Sequence, residues 1–396
     1  MYTRKRHRSR ISLHVLKGIS ALALLIFASG CWGHRDIDQL TVVAAIGLDA
    51  APDNHIELSV QLVNPTLPVA AGANGQRRPF AMYSAKGETM FQVMEDIHKQ
   101  AKKDLFFQQT RIILIDEKLA RRGLEDYLDF FYRNTEQNPL SLILISKATA
   151  RSTLQNAKEL KEVPSDEWSD YFKNGVAFTP NMYQFLPRMD QIGHQPYAAG
   201  IAPISKGNEE ILAIGGLAVF KQYKLVGWLT EMQSQALGWL QGEMRSGVMQ
   251  FALSEEDSKP SVFELDHIRV RLVPVVHGNQ VAFRVSIRVN ADLKSSVRNL
   301  NLTNIQSNRE LEIKLAEQIQ EIVEQTIDHI CKTHNSDIIG FGEAVHQYYP
   351  RTWKQVGPRW HEVLAELEVQ VDVSAHLIKA GLKSDRGELL QNGKEG

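Results

Sequence analysis

The sequence predicts an α+β protein with mixed and antiparallel sheets covered by helices. Three observations predict it. Short apolar runs alternate with helical repeats between residues 41 and 160, the pattern of helices laid on a sheet. The run Val281–Val289 alternates apolar and polar residues, and Gly278-Asn279 joins it to a second run, a hairpin with one wholly apolar face. A periodic apolar stretch, Asn308–Thr333, follows and can cover that face.

Composition sets the outer bounds. The chain has 396 residues, 43% hydrophobic and 23% charged, which suits about two or three domains. This balance excludes a disordered tail, a collagen-like repeat and a disulfide-rich miniprotein. A mean hydropathy of −0.26 excludes a polytopic membrane protein. Residues 1–30 carry Arg4, Lys5, Arg6, Arg8, Arg10 and Lys17 and no acid; removing that +6 from a net charge of −1 leaves a body at −7. Such a body has no footprint for nucleic acid.

The first thirty residues read as an address. A basic run, MYTRKRHRSR, precedes the short apolar stretch ISALALLIFA and then Ala28-Ser29-Gly30-Cys31. Small residues before a cysteine resemble a bacterial lipobox, with Ala28 where Leu is commoner. The alternatives are a plain secretory signal or an uncleaved anchor helix. A diacylglycerol thioether on Cys31 adds two acyl chains, at about 0.8 kcal/mol per buried methylene, enough to tether an exported body to the outer leaflet. Cys331 then has no partner for an intrachain disulfide.

The body divides as 31–160 (N-terminal α/β domain), 161–250 (connector and middle domain), 251–382 (C-terminal α+β domain) and 383–396 (polar tail). Thr41–Asp49 and His55–Val63 flank the turn Pro52-Asp53-Asn54, a hairpin. A Pro/Gly-rich loop spans 64–79. Met90, Met94, Ile97 and Ala101 mark a helix; Ile112–Ile115 is a buried strand; Leu119, Leu124, Tyr127, Leu128 and Phe131 mark another helix. Leu140–Ile145 is a strand and Ala150–Leu160 a helix. Residues 161–209, interrupted by Pro164, Pro180, Pro187, Pro196 and Pro203, read as a connector. Ile211–Phe220 and Leu225–Leu229 form a hairpin, with a helix at Gln233–Leu240. The Gly278-Asn279 turn pairs His277 with Gln280 and sets Val276, Pro274, Leu272, Val270 and Ile268 opposite the apolar set Val281–Val289; Pro274 makes 268–276 an edge strand. Leu311, Leu315, Ile319, Ile322, Val323 and Ile330 stripe the long helix, with Glu312, Glu317, Glu321 and Glu324 outside. A helix near Gly342–Tyr349 and a strand at Leu367–Val373 complete the domain.

No motif announces catalysis: there is no G-x-S-x-G, P-loop, H-E-x-x-H or C-x-x-C. His329, Cys331 and His334 are close in sequence, but residues two apart on an α-helix point about 200° from each other, so no metal site is expected. Gly215-Gly216, inside a strand, suits a bulge or close packing rather than a phosphate cradle. Arg269, Arg271, Arg284 and Arg288 share the polar face of the hairpin, with Arg269 opposite Arg288. Like charges across a pair destabilise unless an anion lies nearby. Local acids, a lipid headgroup and an acidic partner surface are the candidate anions for this face; a salt-bridged surface is the plainer reading. Trp353, Trp360, Tyr348 and Tyr349 fit core anchors better than a ligand wall. No catalytic residue, cofactor or metal is expected.

Further residues carry a resemblance. Cys31-Trp32, Asp36-Ile37, Leu40 and Gly47-Leu48-Asp49 open it. Gln109-Thr110-Arg111-Ile112-Ile113-Leu114-Ile115, Leu119-Ala120, Gly123-Leu124, Leu128-Asp129-Phe130 and Arg133 follow. Then come Gly216-Leu217-Ala218-Val219-Phe220-Lys221 with Leu225-Val226-Gly227, and Asp337-Ile338-Ile339-Gly340-Phe341-Gly342 with Pro350, Trp353 and Trp360. In this order they resemble the Ger(x)C family, the lipoprotein C subunits of spore germinant receptors. Gly33 and Gln109 depart from the family's usual Asp and His. The resemblance implies a three-domain ectodomain held by lipid at the outer leaflet of the spore inner membrane. It implies a role in nutrient-triggered germination beside two integral-membrane partners, the A and B subunits, without catalysis or cofactor. The alternative is an independent lipid-anchored solute-binding protein, although no repeat of the first block recurs in the last. A wall hydrolase would need a converging carboxylate pair or a metal set.

Overall fold

Two β-sheets organise the protein in the computed structural model, which describes residues 40–63, 70–71, 77–78, 80–101, 103–133, 137–155, 164–173, 177–206, 209–296 and 304–379. The leader, Cys31, Trp32, Gly33, Asp36, Ile37, the 383–396 tail and most of the 64–79 loop lie outside the described residues.

The first sheet begins with β1 (Leu40–Ala50) and β2 (Ile56–Val63), an antiparallel hairpin across a turn in which Asp53 and Asn54 both take positive φ. Next come β3 (Ala81–Gly87), α1 (Met90–Ala101), β4 (Asp104–Phe106), β5 (Ile112–Asp116), α2 (Glu117–Arg122), α3 (Glu125–Arg133), β6 (Leu142–Ser146) and α4 (Ala150–Gln155). After these, α5 (Pro164–Lys173), α6 (Met182–Asp190), β7 (Tyr197–Lys206), β8 (Glu209–Lys221), β9 (Lys224–Leu229) and α7 (Glu231–Gln241) complete this part. The strand order is β9-β8-β7-β6-β5-β1-β2-β3, with β4 also paired to β1. The centre, β1-β5-β6-β7, is parallel; both flanks are antiparallel. Both faces are covered, so the central strands are apolar throughout. The period of two sends Ile113, Ile115, Ile143 and Ile145 to one core and Ile112, Leu114 and Leu144 to the other.

The second sheet, ordered β10-β11-β12-β13, is built from β10 (Gly247–Phe251), β11 (Ser261–His277), β12 (Gln280–Ser295) and β13 (Glu368–Lys379). Between β12 and β13 lie α8 (Ile305–Asp328), a π-turn (His329–Thr333), α9 (Phe341–Tyr348), α10 (Pro350–Val356) and α11 (Trp360–Ala365). The hairpin register follows from its turn. Gly278 takes φ 62°, the first central position of a II′ turn, and His277 pairs with Gln280, Val276 with Val281 and Arg269 with Arg288. β10 pairs only with Ser261–Leu265, so the half of β11 holding Pro274 is an edge. The expected pairing stops at Arg269, because a bulge with His267 at φ 52° shifts the register before Asp266; Ile268 does not sit opposite Val289. Phe283, Val285, Ile287 and Val289 face the stripe of α8, in which Leu311, Leu315, Ile319, Val323 and Ile327 are buried and Ile322 partly so, continued by buried Ile330 in the π-turn. These residues share one core with Ala199, Leu217 and Val219 of the first sheet, which joins the two halves.

Three expectations need correction. Residues 161–209 are not a bare connector: they form α5, α6 and β7, and β7 pairs parallel with β6. The sheet therefore runs across the division drawn at residue 160. The prolines misled because Pro164 starts α5, where an N–H is not needed, Pro180 precedes the cap Asn181, and Pro196 precedes β7. The single helix read through Leu119–Phe131 is two, parted by Gly123 at φ 131°. The last strand, expected at Leu367–Val373, runs from Glu368 on to Lys379; it lies parallel to β12, which makes the second sheet mixed, as expected.

Candidate functional site

The Asp337–Gly342 turn is where the two halves interlock. Asp337 is buried, and its carboxylate accepts from the backbone N–H groups of Gly340 (2.9 Å), Phe341 (2.9 Å) and Gly342 (2.7 Å) and from Trp360 Nε1 (2.8 Å). The carboxylate thus caps α9, answering donors that a helix start leaves open. Burial nevertheless pushes its pKa up to about 6. Asp337 also accepts, through its backbone carbonyl, from Gln195 N (2.7 Å), and Glu343 N donates to the carbonyl of Gly193 (3.0 Å). Gly193 and Gly342 touch backbone to backbone: a Cβ on Gly342 would lie 2.4 Å from Gly193 Cα and 2.9 Å from both Trp353 and Trp360. Trp353 and Trp360 pack at 5.3 Å between centroids as anchors, whereas Tyr348 and Tyr349 are exposed. His194, paired with Glu343, has its pKa lowered by burial and by Arg188.

A second capping set serves the first sheet. Asp49 accepts from the N–H groups of Ala150 and Arg151 at the start of α4, and burial pushes it to about 6. Asp116 caps α2 through Lys118 N (3.1 Å). Thr110 Oγ1 donates to the Val43 carbonyl (3.1 Å), and Gln109 is exposed on a short turn. The Gly215-Gly216 pair forms the expected bulge: the register shifts between Ile214 and Leu217, and Gly216 takes φ 72° against the Leu229 carbonyl.

The four arginines lie together as the register requires. Arg269, Arg271, Arg284 and Arg288 are all exposed on the outer face of the second sheet. Among the described residues no carboxylate lies within ion-pair distance of them. β13 adds what the sequence did not show: Asp372 sits opposite Ser286, between Arg284 and Arg288 on the ladder, with Gln370 Nε2 donating to it (3.4 Å). Beside Arg269 a cleft of about 470 Å³ opens between the end of α7 and β11, lined also by Gln241, Arg245, His267 and Val270.

The expectation that His329, Cys331 and His334 diverge holds for Cys331 and fails for the histidines. Cys331 is buried, its thiol pushed well above the ordinary value by burial. His329 Nε2 and His334 Nε2 face each other at 3.1 Å. Among the described residues no group of three or more His, Cys, Asp or Glu could hold a metal ion, and no helix is long and apolar enough to cross a membrane.

The charged clusters of this α+β protein cap helices, clamp two sheets together or stand on an outer face. A family model described as the spore germination protein N-terminal domain matches residues 33–203, and one described as spore germination B3/GerAC like, C-terminal, matches residues 215–381. The chain belongs to the Ger(x)C family of spore germination proteins. It is 24% identical over 397 residues to spore germination protein KC of Bacillus subtilis (strain 168), covering 93% of this chain and 97% of that one. It is 23% identical over 372 residues to spore germination protein B3 of the same organism, covering 90% and 96%. The crystal structure of the GerBC protein shares the fold, with a TM-score of 0.54 at 18% identity over 84% of this chain and 97% of that one. Four residues that carried the resemblance have structural roles: Asp49 and Asp337 are caps, and Gly342 and Trp360 belong to the clamp.

Proposed function

We propose that this chain is the non-enzymatic C subunit of a spore germinant receptor. It is tethered through a lipid on Cys31 to the outer leaflet of the spore inner membrane and assembles with two integral-membrane subunits, A and B, to support nutrient-triggered germination. The arginine face carries the reading. Four guanidiniums on a rigid sheet, without carboxylate partners among the described residues, suit an acidic surface on a membrane subunit, and the chain's relatives are spore germination proteins. The arginines do not hold the fold, so their charge is free for a partner.

The double variant Arg269→Glu with Arg288→Glu tests it. Each exposed change shifts stability by less than about 0.5 kcal/mol, while recovery of the membrane subunits in a pull-down falls and germination slows. The wild-type interaction weakens with salt, as a rim contact does. Unfolding of the variant would make the arginines internal partners; normal assembly and germination would make the face merely solvated. The anchor has its own test: Cys31→Ala abolishes metabolic labelling by a fatty-acid analogue and releases the body from the membrane.

A further inference from the structure

The histidine pair at the end of α8 has no part in the clamp or the arginine face. Three independent features build it. The first is the π-turn. Its hydrogen bond runs from His334 N to the His329 carbonyl (3.1 Å), closing residue i to i+5 and bringing edge to face the two rings that an α-helix would splay. The second is a socket. His334 lies on Gly227 of β9 so closely that a Cβ there would stand 1.9 Å from the ring's Cε1; only glycine admits the ring. The third is the pairing itself: His334 Nε2 and His329 Nε2 face each other at 3.1 Å, with the two rings edge to face.

We propose that His329 and His334 form a two-imidazole site for a borderline divalent transition-metal ion, Zn²⁺ foremost, with water completing the coordination. Two nitrogens held about 2.0–2.1 Å from a tetrahedral zinc stand about 3.3–3.4 Å apart. The observed 3.1 Å needs to open by only a few tenths of an ångström. Imidazole pairs favour Zn²⁺, Cu²⁺ and Ni²⁺ over Mg²⁺ and Ca²⁺, which take oxygen. With two protein ligands the ion is exchangeable rather than structural. Because His334 rests on β9 and His329 ends α8, the ion pins the helix of the second sheet to the edge strand of the first.

The test uses the mature, tag-free chain, with equilibrium dialysis and thermal melts in ZnCl₂ or CaCl₂. Wild type takes up one more Zn²⁺ per chain than His329→Ala or His334→Ala, and its melting temperature rises with Zn²⁺ and not with Ca²⁺, since only the folded chain presents the pair. Both alanine variants melt like wild type without metal, which separates lost ligation from lost folding. Gly227→Ala, which keeps both histidines but evicts the ring, also loses the extra ion. Equal uptake by wild type and both alanine variants, or no uptake by wild type, overturns the proposal.

Discussion

Asp337 and Arg269 belong to the same half of the chain and handle charge in opposite ways. The carboxylate is fully buried, and four donors, three consecutive backbone N–H groups and one tryptophan, converge on it. The guanidinium stands in water, with another arginine across the ladder and no acid in reach among the described residues. A charge saturated inside the fold is committed to holding it. A charge left unanswered on a stiff sheet costs a little repulsion and is available to something outside. The comparison predicts that the two regions respond to mutation in different measurements: stability for the first, association for the second.

The largest effect falls at the junction. Trp360→Ala removes a buried aromatic that packs on Gly342 and deprives Asp337 of its side-chain donor. The loss is about 3–5 kcal/mol, read as a lower denaturation midpoint in urea. A loss below about 1 kcal/mol would break the comparison, because the junction would then not be committed to the fold.

A smaller effect comes from the carboxylate itself. Burial holds Asp337 at about 6, above the ordinary 3.8. Between those values the folded chain keeps a proton that the unfolded chain has released. The resulting stability is fully present below about pH 3.8 and is lost as pH rises through about 6. Asp337→Asn keeps a neutral group of the same shape. The wild type's advantage over this variant is therefore larger near about pH 5 than near about pH 8, by on the order of 1–1.5 kcal/mol. Urea melts of both proteins at the two pH values check it. A gap that does not change with pH would mean that the carboxylate titrates alike in both states.

The sequence shows these regions unequally, for physical reasons. The arginine face was legible because a two-residue glycine turn fixes a register and the period of two does the rest; Arg269 meets Arg288 as that arithmetic requires. The stripe of α8 was legible by the same logic of periodicity. The clamp was not. Asp337-Ile338-Ile339-Gly340-Phe341-Gly342 stands out only as a family-like string, and its contact with Gly193, 149 residues away by the His194–Glu343 pairing beside it, leaves no local pattern. Prolines at helix starts and strand entrances look the same in sequence as prolines in a loop, so 161–209 hid two helices and a strand. The histidine pair depends on one π-turn; α-helical spacing assigns His329 and His334 to different faces.

The smallest effect on stability is also the sharpest probe of the arginine face. Asp372 is exposed on β13 and lies opposite Ser286, flanked on the ladder by the positions of Arg284 and Arg288. It makes no ion pair within reach of either among the described residues. Asp372→Asn therefore shifts stability by less than about 0.5 kcal/mol, as at other exposed sites. It also takes a negative charge out of a basic face. If that face docks an acidic surface, the variant binds its membrane partners more tightly and associates faster at low salt, the opposite of the Arg269→Glu and Arg288→Glu pair. Complementarity predicts changes of opposite sign at neighbouring positions, which a general disturbance of the sheet would not produce. A pull-down across a salt series reads both variants against wild type. Weaker recovery from Asp372→Asn, or no change from either variant, would show that the face contributes no electrostatic attraction to assembly.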